Sequence, residues 1–131
     1  MGNYNQRGLS LSVFACGAIL ALLIMAGLVI DGSAQLLARQ RAEDAAVQVA
    51  RLAMDAAVPY MVDGRDGSGA ALAAAGQAAR RYDNMTFSFN VDSLGSLHVG
   101  TSTTVPTLFL CLVGVAHLQA TGQAVATVFA P

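Results

Sequence analysis

The chain has 131 residues, which allows one domain with little spare. Its net charge is −1 and its hydrophobic fraction is 55%, with a mean hydropathy of +0.56. All seven basic residues are arginines scattered along the chain, so no basic patch exists to neutralise phosphates and the composition argues against nucleic-acid binding.

The first element is written in "QRGLSLSVFACGAILALLIMAGLVIDG". After Arg7 and Gly8, residues 9–30 pass without a charge, and Asp31 closes the run. A bilayer core of about 30 Å needs roughly 20 apolar helical residues, and this run meets the requirement. A secretory signal has a shorter apolar core of about 7–15 residues followed by a small-residue cleavage site. Gly32-Ser33-Ala34 offers such a site, but the run is too long for that reading to lead. The positive-inside rule does not decide the orientation, with Arg7 and the terminal amine on one side and Asp31, Arg39 and Arg41 on the other, so the short N-terminal tail carries it. The expected orientation keeps the N-terminus in the cytoplasm and exports the C-terminal part. Gly17 and Ala21 lie four apart on one face, a spacing that lets membrane helices approach closely. Asp31, at the end of the run, is expected to mark the membrane interface rather than act as an intramembrane functional acid. The two cysteines, Cys16 and Cys111, are expected to be small buried hydrophobes without a disulfide between them.

The helical signal continues through "SAQLLARQRAEDAAVQVARLAMDAAV" (residues 33–58), which is rich in helix formers and free of proline until Pro59. Gln40, Asp44, Gln48, Arg51 and Asp55 form one polar stripe. Ala42, Ala45 or Ala46, Val49, Ala53 and Ala56 form the opposite face. Arg39 with Glu43 and Arg51 with Asp55 are spaced for i,i+4 pairing. An alanine face suits close packing against a sheet or another helix, not the binding of a bulky cofactor. Residues 9–58 therefore predict one nearly continuous helix.

"DGRDGSG" (residues 63–69) predicts a loop, and it lacks the spacing of a calcium loop. Residues 70–81 predict a short helix with Ser68 as N-cap and Arg80 and Arg81 at its C-terminal end. Met85, Phe87, Phe89 and Val91 alternate with polar residues and predict a strand. Residues 92–95 give a turn, and Leu97, Val99, Thr101 and Thr103 continue as the second arm of a hairpin. Residues 105–115 are apolar but too short to span a bilayer, and predict a buried connector or short helix. Residues 118–129 predict a last strand. The fold class expected is α+β, with a long N-terminal helix packed on a small antiparallel sheet. Four segments follow: a leader-like 1–8, a transmembrane 9–30, an amphipathic extension 31–58, and a small exported α+β domain 59–131.

No catalytic constellation stands out. His98 falls on the polar side of a strand and His117 precedes another, without the spacing of a zinc site. Nothing resembles a nucleophile elbow. The expectation is a protein that is not an enzyme and that uses no cofactor or metal.

Arg7-Gly8, the apolar run and "GLVIDGSAQLLARQRAEDAA" (residues 27–46) together resemble the N-terminal region of TadE/TadG-like proteins of tight-adherence (Tad, or Flp-type) pilus systems. "TTVPTLFL" and "GQAVATV" are similar to C-terminal strands of the same family. The resemblance implies a pilin-like fold and a minor pilin or pseudopilin of a type IV-related pilus, at a filament tip or priming assembly. Its partners would be other pilins or pilus-assembly proteins, met through the N-terminal helix, and the lipid bilayer. It also implies a prepilin-processing junction at Arg7, Gly8 and Leu9, with the cut between Gly8 and Leu9. One departure stands at the fifth position after that cut, where prepilins typically carry glutamate and this chain has Val13. That substitution points away from a bulk filament subunit. Two other readings stay open: a permanently anchored assembly or secretion accessory protein, and a small secreted binding domain released by signal peptidase.

Overall fold

The computed structural model describes residues 4–129. Residues 1–3 of the leader-like segment lie outside the described residues, as does the side chain of Arg7. The architecture is α+β: helix α1 (Tyr4–Val62), helix α2 (Ser68–Ala79), and strands β1 (Met85–Val91), β2 (Ser96–Pro106) and β3 (His117–Thr127). A short 3-10 helix, Leu110–Val113, lies in the connection between β2 and β3.

Helix α1 runs unbroken through 59 residues, roughly 90 Å at 1.5 Å per residue. It does not stop at Val58. Pro59 lies inside it, and the helix ends at Val62. Proline lacks the N–H that would reach back to the Asp55 carbonyl, a loss of one bond, so a single further turn survives. The stop is set by Gly64, whose φ of +69° is open to glycine and costly to other residues. The Gly64 N–H then donates to the Met61 carbonyl at 3.0 Å and the Arg65 N–H to the Tyr60 carbonyl at 2.8 Å. This pair of bonds satisfies carbonyls that the helix end would otherwise strand.

The C-terminal half of α1 is the floor of the core. Ala42, Ala46, Val49, Ala53 and Ala57 are fully buried, and Ala45 and Ala50 nearly so. Ala56, expected on this face, is half-buried. The polar stripe from Gln40 to Asp55 faces outward as its spacing requires. Arg39 pairs with Glu43 at 3.0 Å. The other ion pair among the described residues is Arg65–Asp63, so Arg51 and Asp55 do not pair.

Helix α2 packs Ala71, Ala75 and Ala78 on the same floor. Ser68 is not its cap. The residue before the helix is Gly67, and the Ser68 N–H instead donates to Asp66 Oδ1 at 2.8 Å. Gly67 lies so close to the Ala57 backbone that a Cβ there would fall 2.9 Å from it, which leaves no room for a capping side chain.

The sheet is antiparallel in the order β1-β2-β3. The first hairpin turns at residues 92–95, with the Gly95 N–H donating to the Asp92 carbonyl at 3.0 Å. Leu97 and Val99 of β2, Ala126 of β3 and Val128 point onto α1, while Phe87, Phe89 and Val91 of β1 close the core beside Tyr82. The Tyr82 hydroxyl donates to Gln48 Oε1 at 2.7 Å, tying this edge to α1. Thr101, buried on β2, donates its hydroxyl to the Ala42 carbonyl of α1 at 2.7 Å. That carbonyl also serves the helix, so Thr101→Val removes one hydrogen bond without stranding an acceptor. The expected cost is about 1 kcal/mol, measured as a shift in the denaturation midpoint of the full chain in detergent. A Thr101→Ser variant should recover part of it.

Candidate functional site

The N-terminal half of α1 has no core to enter. Along residues 9–30, apolar side chains such as Leu11, Phe14, Leu22 and Val29 are all exposed, each around two-thirds or more. The helix is long and apolar enough to cross a membrane. Gly8 and Leu9 both lie within it, and the Ser12 hydroxyl donates to the Gly8 carbonyl at 2.9 Å. Val13 is exposed. Gly17 and Ala21 are exposed on one face, and nothing lies within 4 Å of where a Gly17 Cβ would stand. Their strip of helix backbone is therefore open to a neighbour.

The structure brings together one pair of segments that sequence reasoning kept apart. Asp31, at the end of the apolar run, is only 3% exposed. Its Oδ1 accepts the Leu108 N–H at 2.9 Å. Its Oδ2 accepts the Phe109 N–H at 3.0 Å and the Leu110 N–H at 2.7 Å. These are the unsatisfied donors at the start of the 3-10 helix, and a carboxylate is the acceptor best suited to several at once. The Leu108 N–H does most to hold the carboxyl below its ordinary pKa; desolvation opposes it, and the N–H groups of Leu110 and Phe109 add to the lowering. The three amides thus replace the water that burial removes and favour the charged carboxylate.

One helical turn earlier, Gly27 receives the Phe109 ring. A Cβ at Gly27 would meet ring carbons of Phe109 at 2.5–2.8 Å, so glycine is what admits the ring. Gly27 and Asp31 are i and i+4, hence on one face. Together they form a socket: a bare backbone below and an acceptor above. Inside the loop, the Thr107 N–H donates to the Ala116 carbonyl at 3.1 Å and the Val115 N–H to the Leu110 carbonyl at 3.0 Å. The Thr107 hydroxyl donates to the Val115 carbonyl. Higher on the helix, Gln35 Nε2 donates to the Gln119 carbonyl at 3.3 Å, extending the seam to β3.

This loop corrects two expectations. The 105–115 run predicts a buried connector or short helix; the 3-10 helix Leu110–Val113 is there, but Leu108, Leu112 and Val113 are strongly exposed. An eleven-residue apolar run is ambiguous between core and lipid-facing surface, and here the core is already filled by alanines and the hairpin. Cys16 and Cys111 were also read as buried; both are free and exposed, Cys16 on the outer surface of α1 and Cys111 in the loop, its thiol donating to the Leu108 carbonyl at 3.0 Å. Alongside Asp31, Gly27 and the 107–116 loop went unrecognised as parts of one site. The signal available was the "GLVIDG" sequence, a glycine and an acid one turn apart, with a second charge-free apolar run elsewhere to receive them.

His98 and His117 are exposed on separate strands. Among the described residues no three of His, Cys, Asp and Glu converge on a common point. The chain matches no family model, no curated protein and no solved structure.

Proposed function

We propose that the chain is a structural minor pilin or pseudopilin of a Tad-type pilus, held in the cytoplasmic membrane by residues 9–30 with its C-terminal part exported. One observation carries the reading. A single unbroken helix has an apolar half that stays largely exposed, touched only near its end by the 107–116 loop, and an alanine half that forms the core of the α+β unit. Such an object is a stem with a head. The stem satisfies its surface equally well with lipid or with other stems, which is what a subunit passing from membrane to filament requires. Cutting the Gly8-Leu9 bond would leave this stem whole.

The permanently anchored accessory protein is the second reading, favoured by the uncharged Val13. Without a carboxylate there, nothing on the stem pairs with a neighbour's terminal amine. Release by signal peptidase after Ala34 fits less well. It would sever Asp31 from the loop and expose three amide donors together.

The N-terminal mass of native protein tests these readings. A start at Leu9 is expected. A start at Met1 or Gly2 would favour the anchor, and one at Gln35 the secreted domain. The protein is further expected in sheared surface filaments. Its restriction to membranes would end the pilin reading.

A further inference from the structure

We propose that the 107–116 loop is a second membrane-contacting element, seated among the lipid chains of the outer leaflet beside the stem. The proposal rests on the reading of residues 9–30 as a bilayer-embedded helix.

Depth is the first argument. The Phe109 ring is fixed against Gly27, and the loop amides against Asp31. An apolar groove runs between Leu20, Ile24 and Leu28 of the helix and Phe109, Leu112 and Val113 of the loop. Leu20 lies eleven residues before Asp31, roughly 16 Å down the helix axis, and half of a bilayer core is about 15 Å. With Asp31 at the interface, everything lining the groove is at the depth of the outer leaflet.

Side-chain chemistry is the second. Leu108, Leu112 and Val113 are 69%, 83% and 81% exposed. No Asp, Glu, Lys or Arg occurs anywhere after Asp92. The loop can therefore enter lipid without dehydrating a charge of its own.

The backbone is the third and the most discriminating. Irregular chain is excluded from hydrocarbon because its N–H and C=O groups lose water. Here many of those groups are turned inward. The N–H groups of Leu108, Phe109 and Leu110 go to Asp31. Those of Leu112, Gly114 and Val115 go to carbonyls within the loop, at 3.0–3.1 Å. The carbonyls of Leu108 and Val115 are taken by the Cys111 thiol and the Thr107 hydroxyl. Most of the loop's N–H donors are thus met within the protein, which lowers the cost of taking this segment out of water. The occupant of the groove is accordingly lipid acyl chain. A protein partner at this depth would itself have to be a membrane helix.

The test uses the full chain in vesicles of phosphatidylcholine and phosphatidylglycerol. Cys16→Ala and Cys111→Ser remove the native thiols. An environment-sensitive fluorophore is then placed through Leu112→Cys, with Leu22→Cys as the stem reference and Leu94→Cys as the water reference. Residue 112 is expected to behave like 22: blue-shifted emission, quenching by nitroxide-bearing lipid, and loss of quenching by aqueous iodide. Iodide access at 112 with lipid contact at 22 would overturn the proposal and leave the stem reading intact. Protection of 112 from both quenchers would place protein on the loop and also overturn it. Iodide access at 22 would remove the stem reading and the proposal together.

Discussion

Replacing Gly122 is expected to separate the sheet from α1. A Cβ at this position of β3 would fall 2.4 Å from the Glu43 backbone nitrogen and 2.5–2.6 Å from the Ala42 carbonyl atoms. Both obstacles are backbone in the middle of a helix, and neither can rotate away. The strand must retreat, and with it the Thr101 bond to Ala42 and the burial of Ala120 and Ala126 on either side. Overpacking of this kind costs about 1–3 kcal/mol, and valine belongs at the upper end or beyond. For a head of this size that corresponds to a fall in Tm of roughly 10–20 °C. Gly100 is the internal control. A Cβ there also makes one contact at 2.5 Å, but with Ser88 Oγ, a hydroxyl that can swing aside. Gly100→Ala should therefore shift stability by less than about 1 kcal/mol. Thermal unfolding of the full-length variants in detergent, followed by a probe of the head rather than of total helicity, separates the two. Equal behaviour of Gly122→Ala and Gly100→Ala would show that β3 does not need this approach.

The elements that could be read from sequence are those whose signal is local and periodic. A 22-residue uncharged run predicts a helix long and apolar enough to cross a bilayer, and α1 is one. The alanines between 42 and 57 recur at helical spacing, and their smallness alone implies a close neighbour. Phe87, Phe89 and Val91 alternate cleanly because one side of β1 is buried and the other wet. The readings that failed depended on partners distant in the chain. Pro59 looked like a stop because proline removes a hydrogen bond, but the sequence does not rank that loss against the better terminator at Gly64. Ser68 looked like a cap because nothing local reveals that Ala57 crowds the helix start. The 105–115 run looked like core because hydrophobicity records aversion to water, not what replaces the water. The site itself joins residue 31 to residues 108–110. An acid at the end of an apolar run announces an interface without naming what it will bind.

Asp31→Ala is expected to free the loop while leaving α1 and the sheet in place. The loop hangs on two contacts with the stem, the Phe109 ring against Gly27 and the carboxylate on three amides. Alanine removes the second entirely, and the donors of Leu108, Phe109 and Leu110 are stranded together. Stranding buried donors corresponds to roughly a ten- to hundredfold rise in amide exchange at these residues, while Leu97 and Val99 in the core should exchange as before. Asp31→Asn should fall between, since its one carbonyl oxygen can replace only part of the carboxylate and its amino group cannot accept. The pH dependence follows from the lowered pKa of Asp31. A carboxyl depressed by the folded state contributes fully above its ordinary pKa, and the contribution is lost as pH falls through the lowered value. Protection of residues 108–110 in the native chain should thus be unaffected by Asp31 titration near neutrality and fall on strong acidification, as the carboxylate takes up its proton. In Asp31→Ala that acid step should vanish, leaving the intrinsic exchange profile. Wild-type protection at these amides in the alanine variant would mean that packing on Gly27 alone holds the loop. The acid is then incidental, and the depth of the loop is set by the Phe109 ring.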